Sequence, residues 1–189
     1  MPTLPPGTLL VRTDFTDDDA WDLVRDEATR EYWLDEFEGN GFRAYVEPVS
    51  DPQWADATWE SLKSAFPADA RGPCVLFIAD SITFASPDHP ILVVDLDDKI
   101  LSLAEFPEIA DRAPFRCIPS ELWGVENNLS ISNMDWEEFA DAVGGDGVFA
   151  ASSFRCRPPR EKAEAHHRDR RDGWPRVSQA LAASCTTGG

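Results

Sequence analysis

Two short apolar runs in the middle of the chain, residues 74–79 and 91–96, constrain the fold more than any other feature of the sequence. Both runs are rich in Val, Ile and Leu, and both are too short for ordinary helices. This pattern is typical of central strands that are buried on both faces of a sheet. The sequence therefore predicts a sheet that is covered on both sides.

Strand and helix signals alternate around these runs. Trp21, Val24, Ala28 and Tyr32 fall at helical spacing and predict a helix that Thr16 caps and that extends to about residue 37. The other predicted elements are strands over 8–13, 42–49 and 114–118, a loop over 80–90, and a short helix that Thr58 caps and Pro67 stops. This order predicts an α/β fold, a single-domain α/β sandwich with a mixed sheet.

The segment 119–149 contains the signals of two further helices. Ser120 is suited to cap the first helix, which Asn127 and Asn128 would end, and the alternation over 129–132 predicts a short strand. Asn133 is the predicted cap of the second helix, and Gly144 and Gly145 are its stop signal. Its predicted inward stripe consists of Met134, Phe139, Ala142 and Val143.

Three stretches carry a family resemblance: LLVRTDFTDDDAW, LFIADSITFASPDHPILVVDL and FRCIPSELWGVENNLSISNMDWEEFADAV. Over about residues 8 to 149 the chain resembles a bacterial family known as domain of unknown function 6924. The resemblance implies a single compact domain and assigns no catalytic residue. Family members end soon after the position of Gly147, so the residues after Phe149 depart from the family pattern.

Charge divides the chain into an acidic body and a basic tail. Residues 151–189 contain eight Lys or Arg and four Asp or Glu, so this segment is net +4 and residues 1–150 are net −22. The tail is rich in Ala, Pro, Ser and Gly and has little periodic apolar pattern. This composition predicts a domain over 1–150 that is followed by a disordered tail over 151–189.

Three alternatives to a solvated tail stay open. The tail could contact nucleic acid or an anionic surface through its arginines, it could fold back on the acidic body, or it could be a frame-shifted extension from GC-rich coding DNA. The acidic body itself is expected to repel nucleic acid. The coding sequence decides the third alternative, since an intact second frame that continues the domain pattern supports it.

The sequence predicts a cytoplasmic, soluble protein without a membrane span. No stretch approaches the roughly 18 consecutive apolar residues of such a span, and the N-terminus lacks the pattern of a signal peptide. The cysteines have no metal-finger spacing, and we interpret Cys74 and Cys117 as buried strand thiols. These patterns predict no metal site and no cofactor.

Three aspartates, Asp14, Asp80 and Asp95, each follow a predicted strand. Ligands of open α/β sheets bind beyond the carboxyl ends of strands, and three carboxylates on one rim could hold Mg²⁺. This is the basis of the enzyme alternative, a small metal-dependent hydrolase. The competing interpretation is that aspartates form turns at strand ends and that the strands need not be parallel. Aspartates on opposite edges of the sheet would remove the enzyme hypothesis.

Other catalytic patterns are incomplete. Asp95 and Asp97 resemble the DxD motif of haloacid-dehalogenase-like phosphatases, in which the first Asp is a nucleophile, but here the motif lies in mid-chain rather than after the first strand. His89 is the only histidine of residues 1–150 and is interpreted as a turn residue. There is no GxxxxGK[ST] and no GxGxxG motif. No catalytic residue is assigned.

The abundant tryptophans provide the favoured hypothesis. Indoles amid polar residues suit a protein-binding face, and the candidates are Trp123, Glu126, Asn127, Asn128, Asn133, Asp135 and Trp136. The competing interpretation is that these indoles fill the core. We expect an acidic protein-interaction module, antitoxin-like or immunity-like, that binds a basic protein partner, rather than an enzyme.

Overall fold

The computed structural model describes residues 2–33, 41–67, 75–97, 109 and 112–150, which belong to the unit Met1–Pro159. They form eight strands and five helices: β1 Leu9–Arg12, α1 Asp18–Ala28, β2 Tyr32–Trp33, β3 Gly41–Phe42, β4 Glu47–Val49, α2 Trp59–Ala65, β5 Val75–Ala79, α3 Ser81–Ala85, β6 Ile91–Asp95, β7 Phe115–Cys117, α4 Leu122–Ser130, α5 Trp136–Asp141 and β8 Val148–Phe149. The predicted tail over 151–189 lies outside the described residues.

Six strands form a mixed sheet in the order β4-β1-β5-β6-β7-β8, and β2 and β3 form a separate antiparallel pair. Strands β4, β1 and β5 are parallel to one another, and β7 is parallel to β8. Strand β6 is antiparallel to both of its neighbours. The predicted α/β fold with a mixed sheet is therefore confirmed.

Both faces of the sheet are covered, as the two apolar runs predict. Strand β5 places Val75, Phe77 and Ala79 in a core shared with α1, α4 and α5, and it places Leu76 and Ile78 in a core shared with α2. This alternation follows from the two-residue period of a strand. All five residues of β5 are buried, so β5 is the centre of the hydrophobic core.

Helix α1 begins later and ends earlier than its sequence predicts. Asp17, not Thr16, is the N-cap, because its Oδ1 accepts a hydrogen bond from the backbone N–H of Ala20 at 2.9 Å. The helix ends at Ala28, and Tyr32 joins the core from strand β2 rather than from the helix. The predicted end at residue 37 lies outside the described residues.

Two predicted connections also differ from the structure. The predicted strand over 42–49 is divided, since β3 pairs with β2 whereas β4 pairs with β1. The predicted loop over 80–90 contains helix α3, which Asp80 caps through a hydrogen bond to the N–H of Thr83 at 3.0 Å. The cap of α2 by Thr58 is confirmed, with its Oγ1 3.3 Å from the backbone N of Ser61.

Helix α4 is longer than predicted. A short 3-10 turn, Pro119–Glu121, precedes it, so Ser120 does not cap the helix. Asn127 and Asn128 lie inside α4 and donate their side-chain amides to the carbonyl oxygens four residues earlier, at 2.8 and 2.7 Å. Because the helix continues to Ser130, the predicted strand over 129–132 is wrong.

Asp135, not Asn133, caps α5, and the Glu138 side chain accepts a hydrogen bond from the Asp135 N–H at 2.8 Å. Phe139 is buried, and Met134 and Val143 pack against the core, but Ala142 is exposed. Strand β8 has no counterpart in the sequence predictions. Among the described residues no helix has the length and apolar character needed to span a bilayer.

Candidate functional site

Asp14, Asp80 and Asp95 do not form one site. Asp14 and Asp80 follow the parallel strands β1 and β5 and therefore lie at the same edge of the sheet. Asp95 ends the antiparallel strand β6 opposite Val75, the first residue of β5. At about 3.3 Å per residue along the strand, this places Asp95 about 16 Å from the strand ends that carry Asp14 and Asp80. The three-aspartate magnesium site consequently has no support, and no metal-binding group of three side chains occurs in the part of the chain that is described.

The carboxylates of Asp14 and Asp80 have structural partners. Asp14 Oδ1 accepts hydrogen bonds from the backbone N–H and the hydroxyl of Thr16 at 2.8 and 2.6 Å. Asp80 forms two hydrogen bonds with the Arg116 guanidinium, at 2.6 and 3.1 Å, in addition to its cap of α3. Although burial opposes the effect, the bonds from Arg116 and Thr83 hold the pKa of Asp80 below its usual value.

Asp95 lies in an ion cluster at the opposite end of the strands from Asp80. Its side chain is 3% exposed, and burial raises its pKa to about 6. Arg112 contacts Asp97 at 2.6 Å and Glu137 at 2.9 Å, but it approaches Asp95 Oδ2 only to 3.5 Å, and that oxygen has no hydrogen-bond partner among the residues that the structure describes. The DxD aspartates thus belong to a partly buried ion cluster.

Two further titratable groups are buried. Glu121 is 8% exposed, and burial raises its pKa to about 7. Cys117 is fully buried in β7, as predicted, and burial raises the pKa of its thiol. Cys74 lies outside the described residues. His89 has a left-handed backbone with φ of 46°, and its Nδ1 is 3.0 Å from the Thr83 carbonyl oxygen, so it holds a turn.

The predicted aromatic face is wrong, because both indoles lie in the core. Trp123 is 8% exposed and Trp136 is 4% exposed. Trp136 packs edge-to-face against Phe115 with ring centroids 4.9 Å apart, and Trp123 lies 5.3 Å from the ring of Phe42. Trp123 belongs to the buried residues of α4, and Trp136 belongs to those of α5.

The polar candidates around these indoles hold the fold together. Asn133 donates its amide to Asn128 Oδ1 at 2.7 Å, and exposed Asp135 caps α5. Glu126 is only 4% exposed, and it accepts hydrogen bonds from the Ser130 hydroxyl at 2.9 Å and from the Tyr45 backbone N–H at 3.1 Å. The hydrogen bonds of these residues therefore have structural roles within the fold.

Glu126 and Asn127 also hold an exposed segment, residues 43–45, in place through hydrogen bonds to its backbone. Asn127 Nδ2 donates to the Arg43 carbonyl oxygen at 3.0 Å, next to the bond from Tyr45 N–H to Glu126. Ala44 is buried between Arg43 and Tyr45, whose side chains are exposed. The Arg43 guanidinium lies 5.1 Å from the centre of the Tyr45 ring. A groove of about 400 Å³ runs along this segment and is also lined by Thr8, Thr29 and Glu47.

Helix α1 exposes an acidic face to solvent. Asp19, Asp22, Leu23 and Asp26 are exposed and follow the i, i+3, i+4, i+7 spacing of one helix face. We call these four residues the α1 acidic face. Leu23 is 64% exposed at its centre, although Trp21 and Val24 of the same helix are buried. Arg25 contacts Asp22 at 2.6 Å and Asp26 at 2.8 Å, whereas the described structure gives Asp19 no such contact.

The sequence predictions did not include the arginines that organise these sites. Only nine of the 17 Lys and Arg residues lie in residues 1–150, against 31 carboxylates, so each cation in the body is scarce. Scarcity was the available signal, because a rare cation amid excess carboxylates is expected to find a partner. Arg112 and Arg116 pair with aspartates that are distant in the sequence. These pairs depend on the order of the strands, so the residues next to each arginine in the sequence do not predict them.

Comparison with known proteins gives a family match. The family model described as "Domain of unknown function (DUF6924)" matches residues 7–152, which agrees with the resemblance over about residues 8 to 149. A search of the curated proteins finds no match.

Proposed function

The chain belongs to the DUF6924 family, and on this premise we propose that its acidic body is a protein-interaction module that binds a basic partner through the α1 acidic face. The observation that carries the proposal is Leu23, which is 64% exposed among three exposed aspartates. An apolar side chain can be desolvated by a partner, while the surrounding carboxylates select for basic residues.

The net charge of −22 for residues 1–150 supports the same assignment. A strongly charged surface raises the rate of association with a partner of opposite charge, by about 10- to 1000-fold at low salt. The cytoplasmic location that the sequence predicts is kept as part of this proposal. The hydrolase alternative is not proposed, since Asp95 lies at the edge of the sheet opposite to Asp80.

The test is affinity capture with the full chain from a lysate of the source cells at low and high salt. The test variant is D19N/D22N/D26N, which neutralises the α1 acidic face. The control is E60Q/D88N/D141N, which removes the same charge at exposed carboxylates elsewhere. A basic protein that the wild type and the control capture at low salt, and that the test variant loses, supports the proposal.

A Leu23→Ser variant provides an independent arm because it keeps every charge. It should lower the affinity for the captured protein about tenfold, since a central apolar contact contributes on the order of 1–2 kcal/mol to binding. Equal capture by the wild type, both triple variants and Leu23→Ser would refute the proposal.

A further inference from the structure

Arg43 differs from the other arginines that the structure describes. Arg12, Arg25, Arg30, Arg112 and Arg116 each contact a carboxylate at 2.6 or 2.7 Å. Arg43 contacts the Tyr45 ring, but its guanidinium has no ion pair and no hydrogen bond within the described ranges 2–33, 41–67, 75–97 and 112–150. In a body with 31 carboxylates and nine cations, an arginine held away from every carboxylate that the structure describes keeps its donors available for another anion.

The backbone that carries Arg43 is fixed in place. Asn127 holds the Arg43 carbonyl oxygen, Glu126 holds the Tyr45 N–H, and the Ala44 side chain between them is 4% exposed. The two outward side chains therefore need little further ordering of their backbone when a ligand binds. Such preorganisation lowers the entropy cost of binding.

The contact between Arg43 and Tyr45 does not use up the guanidinium donors. The central carbon of the guanidinium lies over the ring, 5.1 Å from its centre, and cation–π attraction of this kind requires no N–H hydrogen bond. Tyr45 is 66% exposed and also offers apolar ring surface. Both side chains line the groove of about 400 Å³, a volume in the range of small-ligand sites.

The charges around the groove restrict the ligand. Glu47 lines it together with Thr29, the C-cap of α1, and a helix C-terminus carries partial negative charge. The single positive charge of Arg43 is thus opposed by two negative features and by a body of net −22. A polyanion or a phosphate dianion is disfavoured here, whereas a single carboxylate can use the forked donors of the guanidinium.

We propose that the groove beside Arg43 and Tyr45 binds a monocarboxylate that carries a flat apolar group. Arg43 binds the carboxylate, and the apolar group contacts the ring of Tyr45. Two sources share this chemistry, a small aromatic acid and the C-terminal carboxylate of a peptide that ends in an aromatic residue. This site is separate from the α1 acidic face, and the proposal does not depend on that face binding a partner.

The test is an NMR titration of the full chain with four probes: phenylacetate, N-acetylphenylalanine, N-acetylphenylalaninamide and phenyl phosphate. We expect saturable shifts of the Arg43 and Tyr45 backbone amides with the two carboxylates, with dissociation constants of about 1 mM for ligands of this size. Tighter binding of N-acetylphenylalanine identifies a chain terminus as the source, and tighter binding of phenylacetate identifies a free aromatic acid. The uncharged amide should bind at least tenfold more weakly than N-acetylphenylalanine.

Variants assign the site. Arg43→Gln should weaken carboxylate binding about tenfold, and Arg43→Lys should restore part of it because it keeps the charge but not the fork. Arg30→Gln is the control, since Arg30 is also an exposed arginine but pairs with Glu27. Arg43 is exposed, so its variants should stay folded, which circular dichroism checks. Absence of binding, equal binding of acid and amide, equal binding by Arg43→Gln, or tighter binding of phenyl phosphate than of phenylacetate each overturns the proposal.

Discussion

Replacing Asp95 by asparagine should change how the free energy of unfolding depends on pH. Burial raises the pKa of Asp95 from 3.8 to about 6, and no side chain or backbone group in the described part of the chain forms a hydrogen bond with its Oδ2. Because the folded pKa is above the unfolded one, the folded state binds the proton more tightly. The carboxylate therefore lowers stability as the pH rises above about 4, and this penalty is complete above about pH 6.

The size of the penalty follows from the shift. About two pKa units correspond to about 3 kcal/mol at neutral pH, of which roughly 1.5 kcal/mol develops between pH 5 and pH 8. Asp95→Asn removes the titration, so its stability relative to the wild type should increase by about that amount over this interval. The attraction to Arg112 is already included in the pKa of Asp95, because it acts only on the ionised carboxylate.

Urea unfolding followed by tryptophan fluorescence measures the effect at pH 5, 6, 7 and 8, above the sequence pI of about 4.3. Asp88→Asn is the control, because it removes one carboxylate at an exposed position. Glu121→Gln tests the second buried carboxyl, whose pKa of about 7 extends its effect to higher pH. A stability difference for Asp95→Asn that does not vary with pH would refute the reasoning.

Two further substitutions test the assignment of structural roles. Asp80→Ala should lower the free energy of unfolding by about 3 kcal/mol, measured by urea unfolding against Asp88→Asn, because it leaves the Arg116 charge without its carboxylate and removes the cap of α3. A loss below about 1 kcal/mol would show that the pair is merely a surface contact. Trp136→Ala should lower the free energy of unfolding by about 4 kcal/mol because the indole is 4% exposed, whereas the exposed Leu23→Ser should change it by less than about 0.5 kcal/mol. Equal effects of Trp136→Ala and Leu23→Ser on the free energy of unfolding would contradict the placement of Trp136 in the core.

Elements with strong apolar patterns were predictable from the sequence. The runs that became β5 and β6 carry continuous apolar residues, and the stripe of Trp21, Val24 and Ala28 identifies the inner face of α1. Element boundaries were less predictable, since neighbouring polar residues compete for the same cap. Thr16 and Asp17 could each cap α1, and only the folded backbone brings the Asp17 carboxylate to the N–H of Ala20.

The candidate site was not predictable in its essentials. The strand ends that carry Asp80 and Asp95 look alike in the sequence, and the antiparallel direction of β6 separates them. Asn127 and Asn128 predicted a helix end because asparagine suits turn conformations. In the structure their side-chain amides instead donate to carbonyl oxygens within α4, which the sequence does not show. Arg43 gave no local signal, as its importance comes from residues of α4 more than 80 positions away.

The two outer strands of the six-stranded sheet bear on how the protein behaves at high concentration. Strand β4 has three residues, Glu47–Val49, with an exposed proline at its centre, and β8 has only two. A proline cannot donate a ladder hydrogen bond, and a two-residue strand offers little template for a foreign strand. Edge-to-edge stacking of folded copies into fibrils is thereby discouraged from both sides, although β1 and β5 between them are almost entirely apolar.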